Sequence, residues 1–491
     1  MDRLQLGRTD APVDLLARYG NRHGLITGAT GTGKTVSLMV LAEGFSRLGV
    51  PVFLSDVKGD VSGLACAGSP SEKLAARVSQ LGMEGYSQEA SPVVFWDLLG
   101  KAGHPVRTTI SEIGPSLLAR ILELNETQAG VLEIVFRLAD DEGLLLLDLD
   151  DLRALLAHVA EHRKEISAQL GLVSSQSIGA IQRSLLALER EGGGDFLGEP
   201  ALELNDLLRT DLSGRGIINI LAADQLILKP RLYSSFLLWL LSELFENLPE
   251  VGDPDKPRLV FIFDEAHLLF DKCPPALSQR VEQVIRLIRS KGVGVYFCSQ
   301  FPDDLPAEVL GQLGNRIQHA LRAYTPRDQK AVRTAAETFP LNPALDVARV
   351  IGELAVGEAL VSTLQEKGVP MPVQRTLICP PRCRMGAITA EERAAVISRS
   401  PVSGRYDTRI NRESAAELLA ARIAPATPEG QSSKAAPESP GALSSFFFGT
   451  KSRQGLVETM AKQTVRTMGN QVGRKLLRGL LGGLLGGSRR R

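Results

Sequence analysis

Residues Gly28, Ala29, Thr30, Gly31, Thr32, Gly33, Lys34 and Thr35 carry the pattern glycine, four residues, then Gly-Lys-Thr, with Val36 following. Glycines at these positions let a loop turn so tightly that its N–H groups point inward at phosphate oxygens, and a helix beginning there adds its positive end. Lys34 is placed to meet the β- and γ-phosphates of a nucleotide, and the Thr35 hydroxyl to coordinate Mg2+. The expected ligand of this segment is ATP with Mg2+.

A phosphate cradle also serves kinases and nucleotide switches, so hydrolysis requires a second, acidic element. Residues 259–267, LVFIFDEAH, supply it. Five apolar residues form a buried strand that holds Asp264 at its end, where it positions Mg2+ through water, and Glu265 follows as the general base aimed at the attacking water. The run GVYFCSQ ends in Gln300, whose amide can donate to a phosphate oxygen and accept from the water, the role of a γ-phosphate sensor. Arg316 and Arg322 lie one strand further on and are the two candidates for an arginine finger reaching a neighbouring subunit, Arg322 being preferred. The loop DVKGD, Asp56 to Asp60, ends another strand, and its Lys58 is a candidate contact for phosphate or a partner.

These groups need a scaffold that brings strand ends together. HGLIT, the glycine turn, the helical stretch TVSLMVLAEGFSRLG and VPVFLSD read as a βαβ unit with a parallel sheet, and SPVVFWDL adds a strand. Residues 113–212 change character to Leu- and Ala-rich helical periodicity, which predicts a helical insertion. Strands return with GIINILAA, LVFIF and GVYFCSQ, separated by helices, and NRIQHALRA, EALVSTL and QRTLICP close the sheet. The expectation is an α/β fold with a mainly parallel central sheet, its core formed by 1–112 and 213–424. A Pro- and Ser-rich linker at 425–445 and a basic amphipathic helix at 446–491 complete the chain.

A zero net charge conceals an uneven distribution: residues 451–491 hold ten Lys and Arg against Glu458 alone, a local +9 set against −9 elsewhere. A polyanion or an anionic membrane surface is therefore met locally. The 44% apolar content excludes a wholly disordered chain. Five scattered cysteines form no disulfide framework and point to a reducing cytoplasm, and no apolar run is long enough to span a bilayer.

The combination of GATGTGKT with FIFDEAH, DVKGD, the SQ strand end and RAYTPRDQ resembles the HerA-like helicase family, and more narrowly a bacterial subgroup called the uncharacterised-function family 853. The likeness runs to about residue 400, and LGNRIQHALRAYTPRDQKAV is its most specific stretch. It implies a RecA-like P-loop ATPase of the HerA and FtsK type, usually hexameric, that moves along or separates DNA strands, with a nuclease or another protein as a further partner. The family's Walker lysine, acids and sensor glutamine fall on Lys34, Asp264, Glu265 and Gln300. Archaeal members carry an N-terminal β-barrel, whereas here the P-loop begins 27 residues in, so no barrel is expected. The other reading of the residues is an ATP-driven assembly or interaction protein acting on protein partners or, through the basic tail, at the membrane surface.

Overall fold

The computed structural model describes residues 2–270 and 275–423; the expected linker and basic helix lie outside the described residues. Twelve strands form one sheet: β1 (Arg3–Arg8), β2 (Pro12–Leu16), β3 (Gly24–Thr27), β4 (Val52–Asp56), β5 (Val93–Asp97), β6 (His104–Pro105), β7 (Ile218–Ala222), β8 (Leu259–Phe263), β9 (Val293–Ser299), β10 (Asn315–Gln318), β11 (Glu358–Ser362) and β12 (Gln374–Ile378). Their order is β2-β1-β12-β11-β10-β3-β9-β8-β4-β7-β5-β6. From β10 to β6 every neighbouring pair is parallel, whereas β10 to β11 and all pairs beyond are antiparallel.

The parallel strands are buried on both faces, as parallel sheets covered by helices must be. In β8, Leu259, Phe261 and Phe263 enter one core together with Phe236 and Trp239 of the helix Pro230–Asn247. Val260 and Ile262 enter the opposite core with Leu38, Leu41 and Phe45 of helix α1 (Lys34–Arg47). This period-two partition fixes the register of the strand, because a slip of one residue would exchange its two faces. The same rule divides β9, with Val295 and Phe297 on the first face and Tyr296 and Cys298 on the second.

Between β6 and β7 lie helices Ile110–Ile121, Glu126–Glu142, Leu149–Glu161, Arg163–Leu170 and Ser175–Arg190. Leu132, Leu155, Ile181 and Leu185 from this segment share the first core with the sheet. Two of these helices begin at reciprocal capping boxes, Asn125 with Gln128 and Asp148 with Asp151.

Two strands precede β3 where none was expected. β1 and β2 form a hairpin whose β1 pairs with β12, so the N-terminus extends the antiparallel flank of the sheet. Among the described residues no helix is long and apolar enough to cross a membrane.

Candidate nucleotide site

β3 delivers the glycine loop and α1 receives it. Gly28, Gly31 and Gly33 all have positive φ (150°, 77° and 114°), conformations that residues with a Cβ rarely adopt. The loop is pinned from both sides: the Gly28 N–H donates to the Gln300 carbonyl at 3.2 Å and the Ala29 N–H to the Ala320 carbonyl at 2.8 Å. Lys34 is buried, and its ammonium donates to the carbonyls of Gly28 (2.6 Å) and Ala29 (3.1 Å), folded back over the loop. Burial pulls its pKa below the ordinary lysine value.

The strand order puts the remaining groups at the same edge. β9 lies between β3 and β8, with Thr27 opposite Ser299 and Phe263 opposite Phe297. Gln300 therefore follows the middle strand beside Gly28, and Asp264 and Glu265 follow β8 on its far side. Asp264 is buried, and burial together with the adjoining Glu265 raises its pKa to about 6. Glu265 has φ 47° and ψ 51°, a left-handed conformation that costs a residue with a Cβ roughly 1–2 kcal/mol.

The DVKGD loop follows β4, the neighbour of β8, and closes over the acids. Asp56 accepts the Gly59 N–H at 2.8 Å, forming the turn that presents Lys58. Burial, with Asp60 nearby, raises the Asp56 carboxyl to about 7. Lys58 Nζ pairs with Glu265 Oε1, while His267 Nδ1 lies 3.4 Å from Glu265 Oε2. The Thr35 hydroxyl donates to Asp60 Oδ2 at 3.3 Å, and Asp60 Oδ1 has no hydrogen-bond partner among the described residues. Among the described residues no group of three or more acidic, histidine or cysteine side chains is gathered closely enough to hold a metal by itself, whereas a divalent cation shared with bound phosphates needs only one or two carboxylates.

The sequence reading does not single out His319. It is fully buried beneath the loop, with Nδ1 3.0 Å from the Glu358 carbonyl and Nε2 2.8 Å from the Ser37 hydroxyl. A carbonyl can only accept, so Nδ1 carries the proton and Nε2 accepts from Ser37. Burial lowers its pKa to about 4, which keeps the ring neutral. A signal was present, since His319 lies inside the same family-specific stretch that carries the two arginines.

The two arginines part company. Arg316 sits in the interior of β10 opposite Leu25, short of the loop-bearing edge, and donates to the carbonyls of Leu313 (3.2 Å) and Leu310 (3.0 Å). The structure does not bring it to the glycine loop. Arg322 lies beyond the strand, exposed, donating to the carbonyls of Gly352 and Leu354 at the end of helix Val347–Glu353.

Residues 2–491 match the family model described as Helicase HerA-like C-terminal. A protein named as a probable helicase of Methanocaldococcus jannaschii is 24% identical over 363 residues, covering 72% of this chain and 62% of that protein. The DNA double-strand break repair helicase HerA of Saccharolobus solfataricus is 29% identical over 104 residues, 21% of this chain and 20% of that protein. The chain thus spans less than two thirds of the length of these relatives. Among solved structures, the bacterial conjugative coupling protein TrwB superposes with a TM-score of 0.51 at 16% identity, covering 78% of this chain and 90% of that one. The same coupling protein bound to a non-hydrolysable ATP analogue gives 0.50 at 15% identity, with the same coverages. These likenesses establish a shared fold.

Proposed function

We propose, from the premise that this chain belongs to the HerA-like helicase C-terminal family, that it is an ATP-hydrolysing motor that self-associates into a hexameric ring and moves along or unwinds DNA in the cytoplasm. The observation that carries the reading is the adjacency of β3, β9 and β8, which gathers Lys34, Gln300, Asp264 and Glu265 at one sheet edge. The relatives named as helicases, and the ATP analogue held by a protein of the same fold, support the choice of substrate.

In this reading the N–H groups of Gly31, Gly33, Lys34, Thr35 and Val36 take the phosphates, and Lys34 leaves its two loop carbonyls for the β- and γ-oxygens. Magnesium would be held by Thr35 and Asp264 and would supply neutralising charge to the phosphates. Water attacks the γ-phosphorus as its bond to the bridging oxygen of ADP breaks, and Glu265 takes the water's proton. Gln300 orients that water against the γ-phosphate. Arg322 of one subunit completes the site of its neighbour.

The test is ATP turnover measured alone, with duplex or single-stranded DNA, and with anionic vesicles. Stimulation by DNA is the expected outcome. Stimulation by vesicles alone would replace the DNA reading with a membrane-surface one.

A further inference from the structure

The pair Lys58–Glu265 places a full positive charge on the carboxylate assigned to the attacking water. An ammonium set against Oε1 occupies the place from which that oxygen would accept a hydrogen of the attacking water. The two partners differ in accessibility: the Lys58 side chain is 42% exposed and that of Glu265 only 6%. An anion arriving from solvent can therefore reach the lysine but not the glutamate.

The backbone on each side of the pair is set for this contact. Asp56 shapes the turn that carries Lys58 through its bond to Gly59, and Glu265 holds its left-handed conformation at the end of β8. The lysine end of the pair is open to solvent, so a phosphodiester that approaches Lys58 can compete with Glu265 for its ammonium.

We propose that Lys58 is a positioning residue that latches Glu265 in the unstimulated enzyme, and that a phosphate of an anionic polymer draws Lys58 off and frees Glu265 to accept the proton of the attacking water. The polymer is DNA, a choice that rests on the proposed function; the latch itself rests on the ion pair. ATP turnover then depends on polymer because the base becomes available only when polymer is present.

The experiment compares ATP turnover of the full chain and of Lys58→Met, Lys58→Gln and Lys58→Arg, each without DNA and with saturating duplex DNA, after binding of a fluorescent ATP analogue confirms a folded site. Turnover without DNA is expected to rise several-fold in Lys58→Met and Lys58→Gln and to gain little from DNA. Lys58→Arg, which keeps the pair, is expected to restore the low basal rate and the stimulation, a rescue that a merely structural lysine would not require. Unchanged or reduced basal turnover in both neutral variants would overturn the latch. If the unsubstituted chain ignores DNA while the neutral variants still run faster, the latch stands and the DNA reading falls. If DNA stimulates the unsubstituted chain but the neutral variants keep its low basal rate, the latch falls and the DNA reading stands.

Discussion

The His319 imidazole meets the Ser37 hydroxyl at 2.8 Å, so the strip of chain that follows β10 holds the first turn of α1 through a single buried hydrogen bond. With the ring neutral the Ser37 hydroxyl donates to Nε2; protonation would reverse that bond, Nε2–H donating to the hydroxyl, and would place a charge in a buried site. Folding lowers the His319 pKa from 6.5 to about 4, and a base treated this way contributes stability that is whole above pH 6.5 and is lost as pH falls toward 4. A shift of that size corresponds to roughly 3 kcal/mol. Asp56 and Asp264 shift upward and act in the opposite sense, gaining stability over the same descent, and His23 shares the direction of His319. The informative quantity is therefore the difference between the unsubstituted chain and His319→Asn in melting temperature across this pH range. The variant curve is expected to fall less steeply; parallel curves would contradict the assignment.

Lys34→Ala is expected to lose ATP binding, since the ammonium now resting on the Gly28 and Ala29 carbonyls is the charge that would meet the triphosphate. Normal turnover in this variant would remove the glycine loop from consideration as the site.

Glu265→Gln preserves shape and removes the base, so ATP binding should persist while turnover falls by roughly 10²-fold or more. Loss of binding instead would mean that Glu265 supports the fold of the loop.

Gly28→Ala places a Cβ 2.5 Å from that of His319 at a φ of 150°, whereas Gly31→Ala meets nothing within 4 Å. The first combines a clash with strain and should destabilise by about 1–3 kcal/mol beyond the second, which carries backbone strain alone. Denaturant midpoints compare them, and equal losses would show that His319 yields.

Arg322 is expected to act on nucleotide held by a neighbouring subunit. Mixing Arg322→Ala with Lys34→Ala chains should then restore some turnover, because one class of interface pairs an intact loop with an intact arginine. No recovery at any ratio, with subunit exchange verified, would confine Arg322 to its own chain.

The buried parallel strands were legible because LVFIF, VGVYFCS and VFLSD have no other comfortable place than between two helical layers. The helix Pro326–Glu337 begins at a local signal of the same clarity, with Pro326 in its first turn and a capping box of Thr325 and Asp328. β1 and β2 were missed because RLQLGR and PVDLL are short and half-polar, and bury their leucines only once β12 has arrived from the other end of the chain. The expected strand through residue 323 stops at Gln318, since Leu321 turns its N–H to the Ile351 carbonyl. Within the site, single residues could be named because each sits at the end of an apolar run. Their partnerships could not: Ser37 and His319 are 282 positions apart, and nothing local in either segment announces the other.

The reversal of strand direction at β11 brings the beginning of a strand, rather than its end, to the glycine loop. There the Gly357 N–H meets the Thr32 carbonyl at 3.2 Å and the Glu358 carbonyl receives His319, while a few residues earlier Gly352 and Leu354 hold Arg322. One short strip of backbone thus grips the phosphate cradle at one end and the outward-facing arginine at the other. Any substitution that moves residues 352–358 therefore bears on both contacts at once.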